Sequence, residues 1–267
     1  MSTVNQSLAK IAELHQQIFT ITEQALSKIK PVLVFTEEEI KQALLKQKAI
    51  LNEQAPFPLP KDKFDQVAKE LGESFNALAL KLFPYQNLLS LPQFKEQKLK
   101  YLLADLLQNK TAFLQEFSEK NSDCNLETVY LYVRSMLVPF VAATAAPYRE
   151  HIKQKGSGLL CPFCGSEPNY AVLDKESGTR YLCCPLCHST WPISRATCYH
   201  CGNTDQQSLA IFHLDDQAAR RADVCHKCQH YIKTSNERLL GESVIPQIED
   251  IITMELDIVA AQEGFIK

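Results

Sequence analysis

Val4, Leu8, Ile11, Leu14, Ile18, Ile21, Ala25 and Ile29 recur at intervals of three or four residues. That spacing places them on one face of a helix until Pro31, which lacks a backbone donor, stops it. A second helix is signalled by Thr36 as N-cap with Glu39 three residues on, the reciprocal pair of a capping box, followed by Ile40, Leu44, Leu45 and Ile50. Three prolines in 55–60 predict an extended connector, and helical patterns then cover 61–83, 92–108 and 111–120. Another helix, from about Asn125, is expected to kink or break at Pro139 and again near Pro147. Leu71, Phe75, Leu78, Leu82, Leu102, Leu106, Phe113, Phe117, Val129, Val133 and Leu137 supply the apolar faces of these helices and read as core rather than as a partner groove.

The pattern changes after residue 155, at Gly156, Ser157 and Gly158. Segments 169–173 and 179–183 read as strands around a turn at 174–178, and 209–214 is apolar and aromatic enough for another. Pro246 then opens an amphipathic helix with Glu249 and Asp250 in its first turn and Ile248, Ile252, Leu256 and Val259 on one face, ending near Gly264. Its packing partner is not encoded in the pattern.

Four Cys-x-x-Cys pairs lie in the strand-rich segment: Cys161/Cys164, Cys184/Cys187, Cys198/Cys201 and Cys225/Cys228, with 19, 10 and 23 residues between successive pairs. Such a turn points two sulfurs at one ion, and Gly165 and Gly202 after the second cysteine suit the left-handed backbone it needs. Pairing the first knuckle with the second and the third with the fourth closes two loops, each long enough for a small ribbon. The expected fold is therefore α+β: an N-terminal all-α helical domain over 1–155, two tandem rubredoxin-like or zinc-ribbon units over 156–241, and a C-terminal helix within 242–267. Two metal ions, each bound by four cysteines, are expected, and four thiolates suit zinc and mononuclear iron equally.

A thioredoxin-like dithiol would need a βαβ setting and one active pair, and neither is present. Cys183 reads as a packed thiol and Cys124 as a buried or spare one, since strand alternation points the first away from the metal. His188, His200, His226 and His230 crowd the knuckles without being needed as ligands, and Trp191 and Tyr181 read as ribbon core. Eight cysteines fill both sites, leaving no open coordination position, and no nucleophile set or nucleotide loop accompanies them, so an enzyme is not expected.

Charge narrows the partners. Over 156–241, Lys175, Arg180, Arg195, Arg220, Arg221, Lys227, Lys233 and Arg238 are balanced by Glu167, Asp174, Glu176, Asp205, Asp215, Asp216, Asp223 and Glu237. Each ion held by four thiolates leaves about two negative charges, so the loaded module is anionic and ill-suited to phosphates. Neither nucleic acid nor membrane insertion is expected: the most apolar stretch, 136–146, is far short of the roughly 20 residues of a bilayer span. No signal-peptide pattern opens the chain, which predicts a cytoplasmic protein.

The run Cys161-Pro-Phe-Cys-Gly-Ser, then Thr179-Arg-Tyr-Leu-Cys-Cys-Pro-Leu-Cys, Trp191, Arg195, Cys198-x-x-Cys201, Leu214-Asp215, Ala218, Ala222 and Cys225-x-x-Cys228-x-x-Tyr231-Ile232-Lys233 resembles the formate dehydrogenase accessory protein FdhE family. The likeness continues through Met254-Glu-Leu-Asp-Ile-Val-Ala-Ala to Gly264, and the chain departs from the pattern at Pro192. The resemblance implies a cytoplasmic factor that binds the catalytic subunit of a molybdenum- or tungsten-dependent formate dehydrogenase and is needed for its activity, with iron or zinc at the cysteines. Arg180, Tyr181, Arg195, Asp215, Arg221 and Tyr231, beside the knuckles without being ligands, are the expected partner contacts. The rival readings are a nucleic-acid-binding zinc ribbon, a rubredoxin-like electron carrier and a redox-regulated holdase.

Overall fold

The computed structural model describes residues 2–29, 35–53, 70, 73–74, 126–214 and 218–267. The connector at 55–60, nearly all of the helices expected over 61–120, Cys124 and Asp215 lie outside these residues. Helix α1 spans Ser2–Lys28 and α2 spans Glu37–Leu45. The capping box of α2 forms as expected: Glu39 N donates to Thr36 Oγ1 at 3.3 Å, and Thr36 N donates to Glu39 Oε2 at 2.7 Å. Ile40 and Ala43 are its buried residues, whereas Leu45, expected on the apolar face, is 69% exposed at the helix end.

Helix α3 (Leu126–Ala145) runs unbroken through Pro139. The expected second break is real: a 3-10 turn at Ala146–Tyr148, with Pro147 inside it, separates α3 from α4 (Arg149–Lys155). No described helix is long and apolar enough to cross a membrane.

Six strands follow among the described residues: β1 (Tyr170–Leu173), β2 (Arg180–Cys183), β3 (Thr190–Ile193), β4 (Leu209–Phe212), β5 (Arg220–Cys225) and β6 (His230–Asn236). They form one sheet in the order β3-β2-β1-β6-β5-β4. Each tandem unit is a three-stranded antiparallel piece, and the two are fused by the parallel pairing of β1 with β6, Tyr170 opposite Lys233. Pro192 lies on β3, at a sheet edge, where a missing donor is tolerated.

The two sheet faces are covered differently. Ala171, Leu182 and Ile232 join one apolar core with Phe35, Ile40, Val141, Tyr148, Ile152, Phe163 and Trp191, so helices and sheet share it. The opposite face carries Tyr231, Ala222 and Val224, which pack on Ala260 and Phe265. The C-terminal helix expected from Pro246 therefore lies on the sheet, and it runs as two segments, α6 (Pro246–Ile252) and α7 (Met254–Gln262), preceded by the short α5 (Glu237–Leu240). The interruption falls at Thr253, whose hydroxyl donates to Glu249 O. Beneath it sits Lys233, fully buried, with Nζ 2.8 Å from Asp250 Oδ1 and 2.6 Å from Asp257 Oδ2.

Candidate metal centres

Each knuckle is the same small turn. The backbone N–H after the second cysteine donates to the first cysteine's carbonyl: Gly165 to Cys161 at 2.8 Å, His188 to Cys184 at 3.2 Å, Gly202 to Cys198 at 3.1 Å and Gln229 to Cys225 at 2.8 Å. That bond draws all four donors into the left-handed region, with φ of 78°, 59°, 70° and 59°. Glycine occupies it without strain twice; His188 and Gln229 occupy it against the usual preference.

The turns converge as the sequence pairing requires. Cys161, Cys164, Cys184 and Cys187 form one quartet and Cys198, Cys201, Cys225 and Cys228 the other, the sulfurs of each lying within 4.8 Å of one another. In the first, Cys161–Cys187 and Cys164–Cys184 are 3.4 Å apart. In the second, Cys198–Cys228 is 3.7 Å and Cys201–Cys225 is 3.9 Å. Four converging soft donors at these spacings fit a tetrahedral zinc or iron ion.

The quartets differ in surroundings. All four cysteines of the first are buried within the shared core, beside Phe163 and Trp191. The Trp191 indole N–H donates to Gly158 O at 3.0 Å, and Ile50 and Leu51 donate backbone N–H groups to Pro162 O and Phe163 O at 3.0 and 2.9 Å. Arg149 donates to Cys187 O at 3.0 Å, tying α4 to the second knuckle. In the second quartet Cys201 is exposed and Cys228 half-buried. Burial works against the Cys225 thiolate, but backbone N–H groups of Cys228 and Lys227 outweigh it and bring the thiol down to about 7.

Cys183 is buried against Tyr170 and Val172, outside both quartets, and burial pushes its thiol up. Burial, then the Arg149 charge, brings His188 down to about 4, so its 3.7 Å approach to Glu23 involves a neutral ring at pH 7. His226 lies edge-on against Phe265, while His200 stacks on His230 with ring centroids 3.5 Å apart.

The expected partner contacts separate into internal and surface groups. Arg180 is 3% exposed, paired with Asp223 at 2.9 Å and donating to Thr197 O at 3.2 Å. Tyr231 is buried, with its hydroxyl donating to Asp257 at 2.7 Å. Neither offers a free surface group, a correction with a common cause: each side chain ties the sheet to a neighbouring segment. Tyr181 lies under Lys153 Nζ at 5.2 Å and keeps partial exposure. Arg195, exposed, donates to Gly178 O, and Arg221 pairs with Asp223 at 2.9 Å. These arginines line a cleft of about 280 Å³ between the two units, together with Tyr199, Ile211 and His230. Asp215 is outside the described residues.

Fold and donor sets define a class: an α+β protein in which helices back a double four-cysteine module. Residues 160–195 match the family model described as FdhE, central domain, and residues 196–267 match FdhE, C-terminal domain. The FdhE homolog of Haemophilus ducreyi is 31% identical over 222 residues, covering 80% of this chain and 68% of its own length. The homolog of Aquifex aeolicus is 30% identical over 181 residues, covering 66% and 62%. The chain belongs to the FdhE family. It spans 62% and 50% of the lengths of two such relatives, from Aquifex aeolicus and Haemophilus influenzae. A crystal structure of the FdhE protein from Pseudomonas aeruginosa shares the fold, with a TM-score of 0.62 at 19% identity over 98% of this chain and 90% of that one.

Proposed function

We propose that the chain is a non-catalytic cytoplasmic accessory factor that binds the catalytic subunit of a formate dehydrogenase and is required for that enzyme's activity. The observation that carries this reading is that the FdhE match over 160–267 contains both complete sulfur quartets. Each quartet would hold one iron or zinc ion, and the ion would supply a cross-link between two turns that otherwise meet only through weak contacts. Four thiolates saturate such an ion, which favours bracing over Lewis-acid catalysis. The rim of the arginine-lined cleft, with Arg195 and Arg221, is the surface we assign to the partner; Arg180, which lines the same cleft, would act by holding that surface in shape, whereas Tyr231 ties the other sheet face to the C-terminal helix.

Anaerobic affinity capture of the tagged chain from its native cells, with mass spectrometry of what is retained, tests this. A formate dehydrogenase catalytic subunit is expected as the leading partner, lost when Cys161 and Cys164 are both changed to Ser. Recovery of a broad set of unfolded chains would support the holdase reading instead, and recovery of ribosomal proteins or polymerase the nucleic-acid one.

A further inference from the structure

The cleft between the two units holds more guanidinium than its own carboxylate can match. Its floor follows the strand register: Ile211 lies opposite Asp223 and Asp223 opposite Ile232, on the sheet face that Arg221 shares two residues along β5. Its wall is the segment from Arg195 to Tyr199, and Arg180 reaches it from β2. Among the described residues that line it, Asp223 is the one carboxylate, against Arg180, Arg195 and Arg221. Asp223 serves two of these, Arg180 through Oδ2 and Arg221 through Oδ1, each at 2.9 Å. Its Oδ2 also accepts from the Thr234 hydroxyl at 2.7 Å. Buried Arg180 places one terminal nitrogen on Asp223 and the other on Thr197 O, and its Nε is left without an acceptor. A buried donor in that state marks a place where a further acceptor belongs. Arg195 makes no ion pair among the described residues; its Nε and Nη2 both donate to Gly178 O. The terminal nitrogens of Arg221 make no hydrogen bond among the described residues either.

We propose that this cleft receives an Asp- or Glu-bearing segment of the formate dehydrogenase catalytic subunit, with the carboxylate on the open guanidinium edges of Arg195 and Arg221 and an apolar neighbour over Ile211. The inference rests on the accessory reading and adds the chemistry of the contact. A guanidinium fork holds a carboxylate in a fixed plane, so the pairing gives direction as well as strength. Ile211, 54% exposed, stands with Leu209 and Ile232 as apolar footing that a free small anion would not use. The volume of about 280 Å³ is at the low end for a small-molecule site and suits the side chains of an inserted segment. Cys198 and Cys225 line the same cleft. The roughly two negative charges of a loaded quartet therefore oppose a dianionic phosphate there more strongly than a single carboxylate.

The test repeats the anaerobic capture with the full-length chain carrying Ile211→p-benzoylphenylalanine, irradiated before purification, and in parallel with the double charge reversal Arg195→Glu, Arg221→Glu. The cross-link is expected to map to a segment of the catalytic subunit that contains Asp or Glu. Charge reversal should lower the captured subunit by about tenfold or more while bound metal is unchanged. Should the reversed chain lose its metal, the cross-link in the chain with both arginines decides alone. Undiminished capture by a metal-loaded reversed chain, a cross-link to a segment without a carboxylate, or no cross-link to a captured subunit overturns the proposal. If the unaltered chain captures no formate dehydrogenase subunit, the accessory reading itself fails, and this inference with it.

Discussion

A left-handed corner closes each knuckle, and the residue there decides how much strain the turn stores. Gly202 at φ 70° adopts it freely, and an added Cβ would meet only Leu159 Cδ1 at an ordinary 3.6 Å, so Gly202→Ala introduces backbone strain with little crowding. That substitution should cost about 1–2 kcal/mol. Gln229 already bears the strain at φ 59°, so Gln229→Gly should stabilise, by roughly 0.5–1 kcal/mol after the added chain entropy is counted. Chemical denaturation of the metal-loaded variants checks both, and equal destabilisation by the two changes would refute the turn argument. The glycines made two corners legible in the sequence. His188 and Gln229 gave no such signal, because the turn demands a backbone donor at that position and glycine only by preference. The same limit hid the burial of Arg180 and Tyr231, whose polar ends read as surface groups until Asp223 and Asp257 are placed beside them.

Elements were readable where apolar pattern and turn chemistry coincide. The β1–β2 hairpin announced itself through its strand pattern and the Asp174–Gly178 turn, in which Gly178 N donates to Asp174 O at 2.9 Å. Strand β6 did not, because Lys233, Thr234 and Ser235 are buried polar residues that break the apolar pattern. They are tolerated because each finds a partner: Lys233 and Ser235 on the C-terminal segments, and Thr234, whose hydroxyl donates to Asp223 of β5. Burial works against the Glu249 and Asp250 carboxylates, yet Arg220 and Ser235 on the first, and Lys267 and Lys233 on the second, hold both below their ordinary values of 4.5 and 3.8. Folded values below unfolded ones mean that these groups stabilise fully above the unfolded range and that their contribution is lost as pH falls through the lowered folded values. His15 of α1 adds to the same trend: burial lowers it beside Asp250, so protonation below 6.5 favours the unfolded chain. Hydrogen exchange over 246–262 should lose protection between about pH 5 and pH 3, with bound metal assayed in the same samples. Protection that persists through the carboxylate range while metal is retained would refute the ionic clamp.

For the whole molecule, the tandem units are parts of one sheet, and the parallel β1–β6 junction has no signature in either strand taken alone. The pairing of knuckles into two quartets was fully legible, because loop lengths allow each adjacent pair to meet. Their inequality was not: the first quartet lies inside the core that joins helices to sheet, the second at the surface with Cys201 exposed. An ion in the first would therefore hold the fold, and one in the second would hold its own turns and the rim of the cleft. Trp191 is the sole tryptophan of the chain, fully buried beside the first quartet, and reports on the core alone. The direct test is stepwise chelation of the loaded chain, with released metal and Trp191 emission recorded together. The account predicts that one quartet-bound ion leaves with the emission unchanged and that the other leaves later, more slowly, with a red shift as the core opens. Simultaneous loss of both ions with the shift, or a chain that retains its core with neither quartet loaded, would contradict it.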